Sequence, residues 1–155
     1  DYAKVIKDYS GKVYSEGDFK SVDGKILGRH KGIIHYTLGQ RKGLGISYEK
    51  PLYVCGITTE KNEVILGSNE DLFSCEAVVE NFNWISGEIP TEPIRCCAKV
   101  RYRQKEQPAT AYPLDDGKVK IVFDAPQRAI TAGQSAVLYD GDIVLGGGEI
   151  IKTTD

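Results

Sequence analysis

The 155-residue sequence contains no methionine, one tryptophan and only two histidines, and each shortage narrows the chemistry open to it. His30 and His35 stand five apart with no third ligand nearby, so no metal site is expected and both read as turn or core histidines. The four cysteines, Cys55, Cys75, Cys96 and Cys97, form no C-x-x-C pair and have no histidine at zinc-finger spacing, so reduced structural thiols are expected. No apolar run approaches the roughly 20 residues that cross a bilayer. The opening DYAKVIKDYSGK also lacks the apolar core and cleavage site of a secretory signal. A cytoplasmic chain without membrane contact is the expectation. The absence of methionine at position 1 is expected of an excised or processed piece.

Nucleotide-binding motifs are missing too. The segment 29–46, RHKGIIHYTLGQRKGLGI, holds Gly32, Gly39, Gly43 and Gly45 but neither G-x-x-x-x-G-K-[ST] nor a strand–glycine–helix G-x-G-x-x-G. Glycine loops of this kind are entropically expensive to order unless the backbone serves a purpose. No nucleophile with a matching base stands out, so no catalytic residue is assigned and a binding module without its own active site is expected.

What is present reads as β structure. Seventeen glycines and six prolines separate short runs rich in Val, Ile, Tyr and Thr. Asp1 can cap a short helix through Tyr9, with a strand over Lys12–Ser15, the Asp23-Gly24 turn and a strand over Ile26–Gly28. A hairpin over Leu52–Thr58 and Glu63–Gly67 turns at Glu60-Lys61-Asn62. After Asp71 the pattern predicts six strands: Cys75–Trp84, Ile94–Arg103, Ala109–Leu114, Lys118–Phe123, Ser135–Tyr139 and Ile143–Lys152. The turns Asp115-Asp116-Gly117 and Asp140-Gly141-Asp142 punctuate them. Six short strands favour a small closed barrel, because closure removes exposed edges. The fold class is therefore mainly β: a small central β-rich domain over 1–72 and a six-stranded antiparallel β-barrel over 73–155. Within the last predicted strand, Gly146-Gly147-Gly148 implies a bulge or a close backbone approach.

Charge is unevenly placed behind a formal net value of −2. Residues 60–80 carry six carboxylates against Lys61 alone. Arg95 to Lys105, RCCAKVRYRQK, carries five cations, opposed between 91 and 110 only by Glu92 and Glu106. On a strand of period two, Arg95, Lys99, Arg101, Arg103 and Lys105 share one face, and Cys96, Ala98, Val100 and Tyr102 the other. Cations about 6.6 Å apart along a strand suit a phosphate backbone. Tyr102 and Gln104 would add stacking and hydrogen bonding to unpaired bases. The plainer reading is a solvated face that keeps an edge soluble.

Four blocks, GRHKGIIHYTLGQRKGLGI at 28–46, AKVRYRQ at 98–104, FDAPQRAITAGQSAVLYDGD at 123–142 and LGGGEI at 145–150, together resemble the tRNA-specific 2-thiouridylases, once labelled tRNA (5-methylaminomethyl-2-thiouridylate) methyltransferases. The resemblance implies an enzyme whose amino-terminal domain uses ATP, with Mg, to adenylate the wobble uridine of tRNA. A persulfide on one catalytic cysteine, assisted by a second, then delivers sulfur. This chain would hold the central domain and a carboxy-terminal barrel similar to those of elongation factors, binding no cofactor itself. Implied partners are tRNA and a sulfur-relay persulfide donor protein. The family's tRNA-contacting Arg-Tyr falls on Arg101 and Tyr102, and the glutamine of its P-G-Q block on Gln134. Arg103 and Lys99 join them from the basic face.

Departures are equally specific. The S-G-G-x-D-S loop is missing, and none of the four cysteines matches a catalytic one. P-G-Q reads Ala132-Gly133-Gln134, and the glycine pair expected after Ile46 is replaced by Ser47-Tyr48. The alternatives are a stand-alone RNA-binding β-barrel module and a structural barrel that never touches RNA.

Overall fold

Alternation of apolar and polar residues organises the first sheet. In β1 (Gly17–Ser21), Phe19 is fully buried while Asp18 and Lys20 lie half-buried on the other face. β1 pairs antiparallel with β2 (Ile26–His30) across a turn in which Gly24 has φ 91°. It also runs parallel to β4 (Glu63–Gly67), which forms an antiparallel hairpin with β3 (Tyr53–Thr58), giving the order β2-β1-β4-β3. The computed structural model describes residues 15–154, with side chains to Ile151. The helix expected over the first residues and most of the strand expected over Lys12–Ser15 lie outside that range. Ser15 itself is not in a strand, and the strand that leads into the Asp23-Gly24 turn is β1.

The chain divides into two compact units, Asp1–Leu72 and Phe73–Asp155, each with its own core. In the first, Phe19, Tyr36, Leu44, Val54, Val64 and Leu66 pack together. Of the two histidines expected in a turn or the core, His30 is in the core. His30 is buried, its Nδ1 accepts from the Gly32 N–H at 3.0 Å, and its Nε2 therefore donates to the Asn62 carbonyl at 2.8 Å. Its ring also meets Phe19 and Tyr36 edge-on. His35 is exposed.

The second unit is a closed antiparallel barrel of order β10-β5-β8-β7-β6-β9. Its strands are β5 (Phe73–Trp84), β6 (Ile94–Lys99), β7 (Gln107–Pro113), β8 (Val119–Arg128), β9 (Ser135–Asp140) and β10 (Ile143–Thr154). Small residues line much of the interior. Ala77, Ala98, Ala109, Ala111 and Ala136 are fully buried beside Ile121, Leu138 and Ile150. The β7–β8 turn is closed by the Leu114 N–H donating to the Lys118 carbonyl at 2.8 Å, and between them Asp116 at φ 62° and Gly117 at φ 73° take the left-handed conformation that reverses the chain. Among the described residues there are three short 3-10 turns and no α-helix.

The glycine run in β10 marks a close backbone approach, as expected from sequence. A Cβ on Gly146 would lie 2.3 Å from the Asn83 carbonyl oxygen, and one on Gly148 would lie 2.5 Å from that of Glu80. The register with β5 shifts between Gly147 and Glu149. Gly146→Ala is therefore expected to destabilise the barrel by about 2–3 kcal/mol through overpacking. Gly24→Ala, where a Cβ meets nothing within 4 Å and only φ is unfavourable, should lose about 1 kcal/mol. Urea unfolding of the two variants checks the order.

Candidate nucleic-acid interface

The alternation expected for Arg95 to Lys105 holds only in its first half. Cys96 packs against the barrel core, Ala98 and Val100 are buried, and Arg95 and Lys99 face outward. β6 then stops at Lys99, so Arg101, Arg103 and Lys105 do not continue a strand face, and the five-cation row is corrected to a strand end and a loop. The hydrogen-bonding reason is local. The Val100 N–H, which a longer ladder would use, donates instead to the Gln104 Oε1 at 3.1 Å, and the Gln104 N–H reaches the Arg101 carbonyl at 3.2 Å. Gln104 Nε2 donates to the buried Gln127 Oε1 at 2.8 Å, stapling the loop to β8.

Arg95 also leaves the set. Its guanidinium forms a two-pronged pair with Asp124, both bonds at 2.8 Å, and donates to Thr110 Oγ1 at 2.9 Å. That hydrogen-bonded partner holds the Asp124 carboxyl below its ordinary pKa. The charge of Arg95 is consumed within the barrel wall.

Arg101 folds back rather than pointing away. Its Nη2 donates to the Arg128 carbonyl at 2.8 Å and to the Ala129 carbonyl, tying the β6–β7 loop to the β8–β9 loop. Ala129 holds φ 54° in presenting that oxygen. Tyr102, expected to point inward on a continued strand, sits past the strand end and is 93% exposed. On the β8–β9 loop, the Gly133 N–H donates to the Ile150 carbonyl at 2.7 Å, and the Ile150 N–H to the Gln134 carbonyl at 2.8 Å. The backbone of Gln134 is thus fastened to β10 while its side chain lies at the surface.

These ties bring Lys99, Arg101, Tyr102 and Gln134 around one cavity of about 430 Å³, with Ser135, Val137 and Tyr139 completing its wall. Arg103 is exposed on the same loop but does not line it. Sequence reasoning missed Val137 and Tyr139. Their signal was available: in β9, Ala136 and Leu138 point into the core, so Val137 and Tyr139 are apolar residues on the outer face. The result is an apolar floor, an aromatic ring at the rim, an amide that both donates and accepts, and two cations. No group of three His, Cys, Asp or Glu side chains placed to hold a metal occurs among the described residues.

The neighbouring thiol is not arranged for nucleophilic work. Burial, followed by the charge of Cys97, pushes the Cys96 pKa up to about 11.

Known proteins resemble both units. Residues 3–68 match the tRNA methyl transferase PRC-barrel domain, and residues 74–150 match the aminomethyltransferase β-barrel domain. The class is therefore a PRC-barrel unit joined to an aminomethyltransferase-type barrel. Among curated relatives, the tRNA-specific 2-thiouridylase MnmA of Acetivibrio thermocellus is 53% identical over 150 residues, 97% of this chain and 42% of its own length. That of Clostridioides difficile is 52% identical over 153 residues, 99% of this chain and 42% of its own. The MnmA of Microcystis aeruginosa is 51% identical over 140 residues, 90% and 40% respectively. The chain belongs to the tRNA-specific 2-thiouridylase family, and it spans about two fifths of the length of these relatives.

Two outcomes follow from the site. Gln104→Leu leaves the buried Gln127 oxygen unpaired and is expected to destabilise by about 1–3 kcal/mol. A compensating Gln127→Leu should recover part of that loss in a double-mutant cycle measured by urea unfolding. Separately, a thiol pKa about two above its ordinary 9.0 leaves little thiolate at pH 8. Cys96 should then alkylate roughly 100-fold more slowly in the folded chain than in urea, as read by peptide mass spectrometry after iodoacetamide.

Proposed function

We propose that this chain is the tRNA-docking part of an enzyme that 2-thiolates the wobble uridine of tRNA. Adenylation of that uridine with ATP and Mg, and persulfide sulfur transfer from a donor protein, take place on a portion of the enzyme outside these residues. The sequence has no S-G-G-x-D-S loop, in keeping with an inert fragment, and the same reading places the enzyme in the cytoplasm.

The single observation that carries the docking role is the convergence of Lys99, Arg101, Tyr102 and Gln134 on one cavity. Each supplies a distinct interaction. Lys99 attracts a phosphate without selecting a base. Tyr102 offers a nearly unobstructed face for an unpaired base to stack on. The Gln134 amide can donate to and accept from a base edge, and its anchored backbone limits the entropy lost on binding. Arg103, outside the cavity, adds charge along the strand that leaves it. Arg101 acts mainly as a positioning residue, because its hydrogen bonds to the Arg128 and Ala129 carbonyls hold the two loops together.

Tyr102→Ala is expected to weaken binding of an unmodified tRNA transcript about ten- to one hundred-fold. Tyr102→Phe should retain most of the affinity, with thermal stability unchanged in both. Lys99→Ala and Arg103→Ala should each lower the slope of log K against log salt by about one. The same chain should release no pyrophosphate from ATP. Parental affinity in all three alanine variants would refute the docking role, and ATP turnover would refute inertness.

A further inference from the structure

A cavity of about 770 Å³ lies in the first unit and is formed by the loop from Arg41 to Leu52. It is open to solvent, yet the loop around it is built rather than slack. Leu44 is buried in the core, and Ile46 reaches over Gly28, where an added Cβ would meet it at 3.4 Å. Gln40 splints the entry: its Oε1 accepts from the Thr37 N–H at 3.0 Å and its Nε2 donates to the Lys42 carbonyl at 2.9 Å. The backbone is fixed to β3 by Gly39 N–H to the Val54 carbonyl at 2.8 Å and Val54 N–H to the Gln40 carbonyl at 2.9 Å. Gly43 and Gly45 hold φ 80° and 69°, and a Cβ on Gly45 would meet nothing within 4 Å. Backbone path, not crowding, requires glycine there.

The charges on this ordered loop are uncompensated. Elsewhere in the unit Arg29 pairs with Asp18 and Lys20 with Glu63, while Lys25, Lys31 and Lys61 are exposed without an ion pair among the described residues. Arg41, Lys42 and Lys50 are exposed and have no ion pair among the described residues, and Glu49 is the sole carboxylate of the segment. Tyr48 presents an aromatic ring at 53% exposure on the wall of the same cavity. Ordering a solvated loop costs conformational entropy that cations on its own surface do not repay. A loop that meets a polyanion regains that free energy through released counterions.

We infer that the Arg41–Leu52 loop is a second RNA contact, in which Arg41, Lys42 and Lys50 hold the phosphodiester backbone and Tyr48 stacks on one base or ribose. The inference rests on the reading that tRNA is the substrate, and it assigns part of the grip to the first unit. The volume suits a nucleotide rather than a bare phosphate, and stacking with cations is the general recipe for holding unpaired strands.

The test is binding of an unmodified tRNA transcript to the whole chain, parent against Arg41→Ala/Lys42→Ala/Lys50→Ala, with Lys99→Ala/Tyr102→Ala as the comparison. The loop variant should bind about ten-fold more weakly at low salt and lose about two from the slope of log K against log salt. If it binds like the parent while the barrel variant is weakened, the loop inference falls and the docking role stands. If neither variant is weakened, the tRNA reading itself fails. Photo-crosslinking of 4-thiouridine-substituted tRNA to the unaltered chain guards against misfolding of the variant. Adducts in the peptide containing Tyr48 support the contact, and adducts confined to the barrel overturn it. In the full-length enzyme, protection of Arg41 and Lys42 from trypsin before tRNA is added would make the loop an internal protein interface, also overturning it.

Discussion

Closure of the barrel through β10 is the constraint on which the candidate interface depends. β10 hydrogen-bonds to β5 on one side and to β9 on the other, and the glycines at 146–148 let its backbone pass where side chains would strike the Asn83, Ala136 and Glu80 carbonyls. With β9 held there, its other edge is free to take β6, pairing Lys99 with Val137. That register sets the β6–β7 loop beside the start of β9, and so places Arg101 and Tyr102 against Gln134 and Ser135. Residues some thirty positions apart in sequence become one surface because β10 can approach its neighbours closely and so hold β9 in place.

Within that frame the polar side chains divide into those that build and those that remain available. Arg95 is neutralised on Asp124, Arg101 is bound to two carbonyls, and Gln104 and Gln127 satisfy each other. These groups fix the loops so that little conformational entropy remains to be lost on binding. Lys99, Tyr102 and the Gln134 side chain have no hydrogen bond or ion pair of that kind and are the groups left to meet a ligand. A basic residue at the surface is therefore not equivalent to a basic residue at the interface. Arg101 differs from Arg103 in what its removal would do to the chain itself.

The strand plan was legible because its determinants are local. Period-two alternation and Asp-Gly turns locate all six barrel strands, and the Gly146–Gly148 run announces its own close contact. The end of β6 was not legible. RYRQK continues the alternation past Lys99, and nothing nearby in sequence reveals that Gln104 will take the Val100 N–H or that Gln127 will hold Gln104. Arg95 looked available for the same reason, since its carboxylate partner lies 29 residues further on. Resemblance to the family singled out Arg101, Tyr102 and Gln134, which line one cavity, whereas periodicity offered Arg101 but turned Tyr102 inward. It gave no sign that Val137 and Tyr139 would floor the cavity between them.

A net charge of −2 and a sequence pI near 5.8 do not by themselves favour the proposed RNA docking, but barrel topology separates the charges. In an antiparallel barrel successive loops alternate between its two ends. The β5–β6, β7–β8 and β9–β10 connections share one end and carry Glu88, Glu92, Asp115, Asp116 and Asp142, with Lys118 as their only cation. The β6–β7 and β8–β9 connections share the other and carry Arg101, Arg103 and Lys105 against Glu106 alone, flanked by Lys99 and Arg128 at strand ends. The barrel is thus polarised along its axis, and a polyanion is attracted to one end while being repelled from the other. Orientation, rather than total charge, is what such a chain offers an RNA. A near-neutral protein can in this way present one basic end.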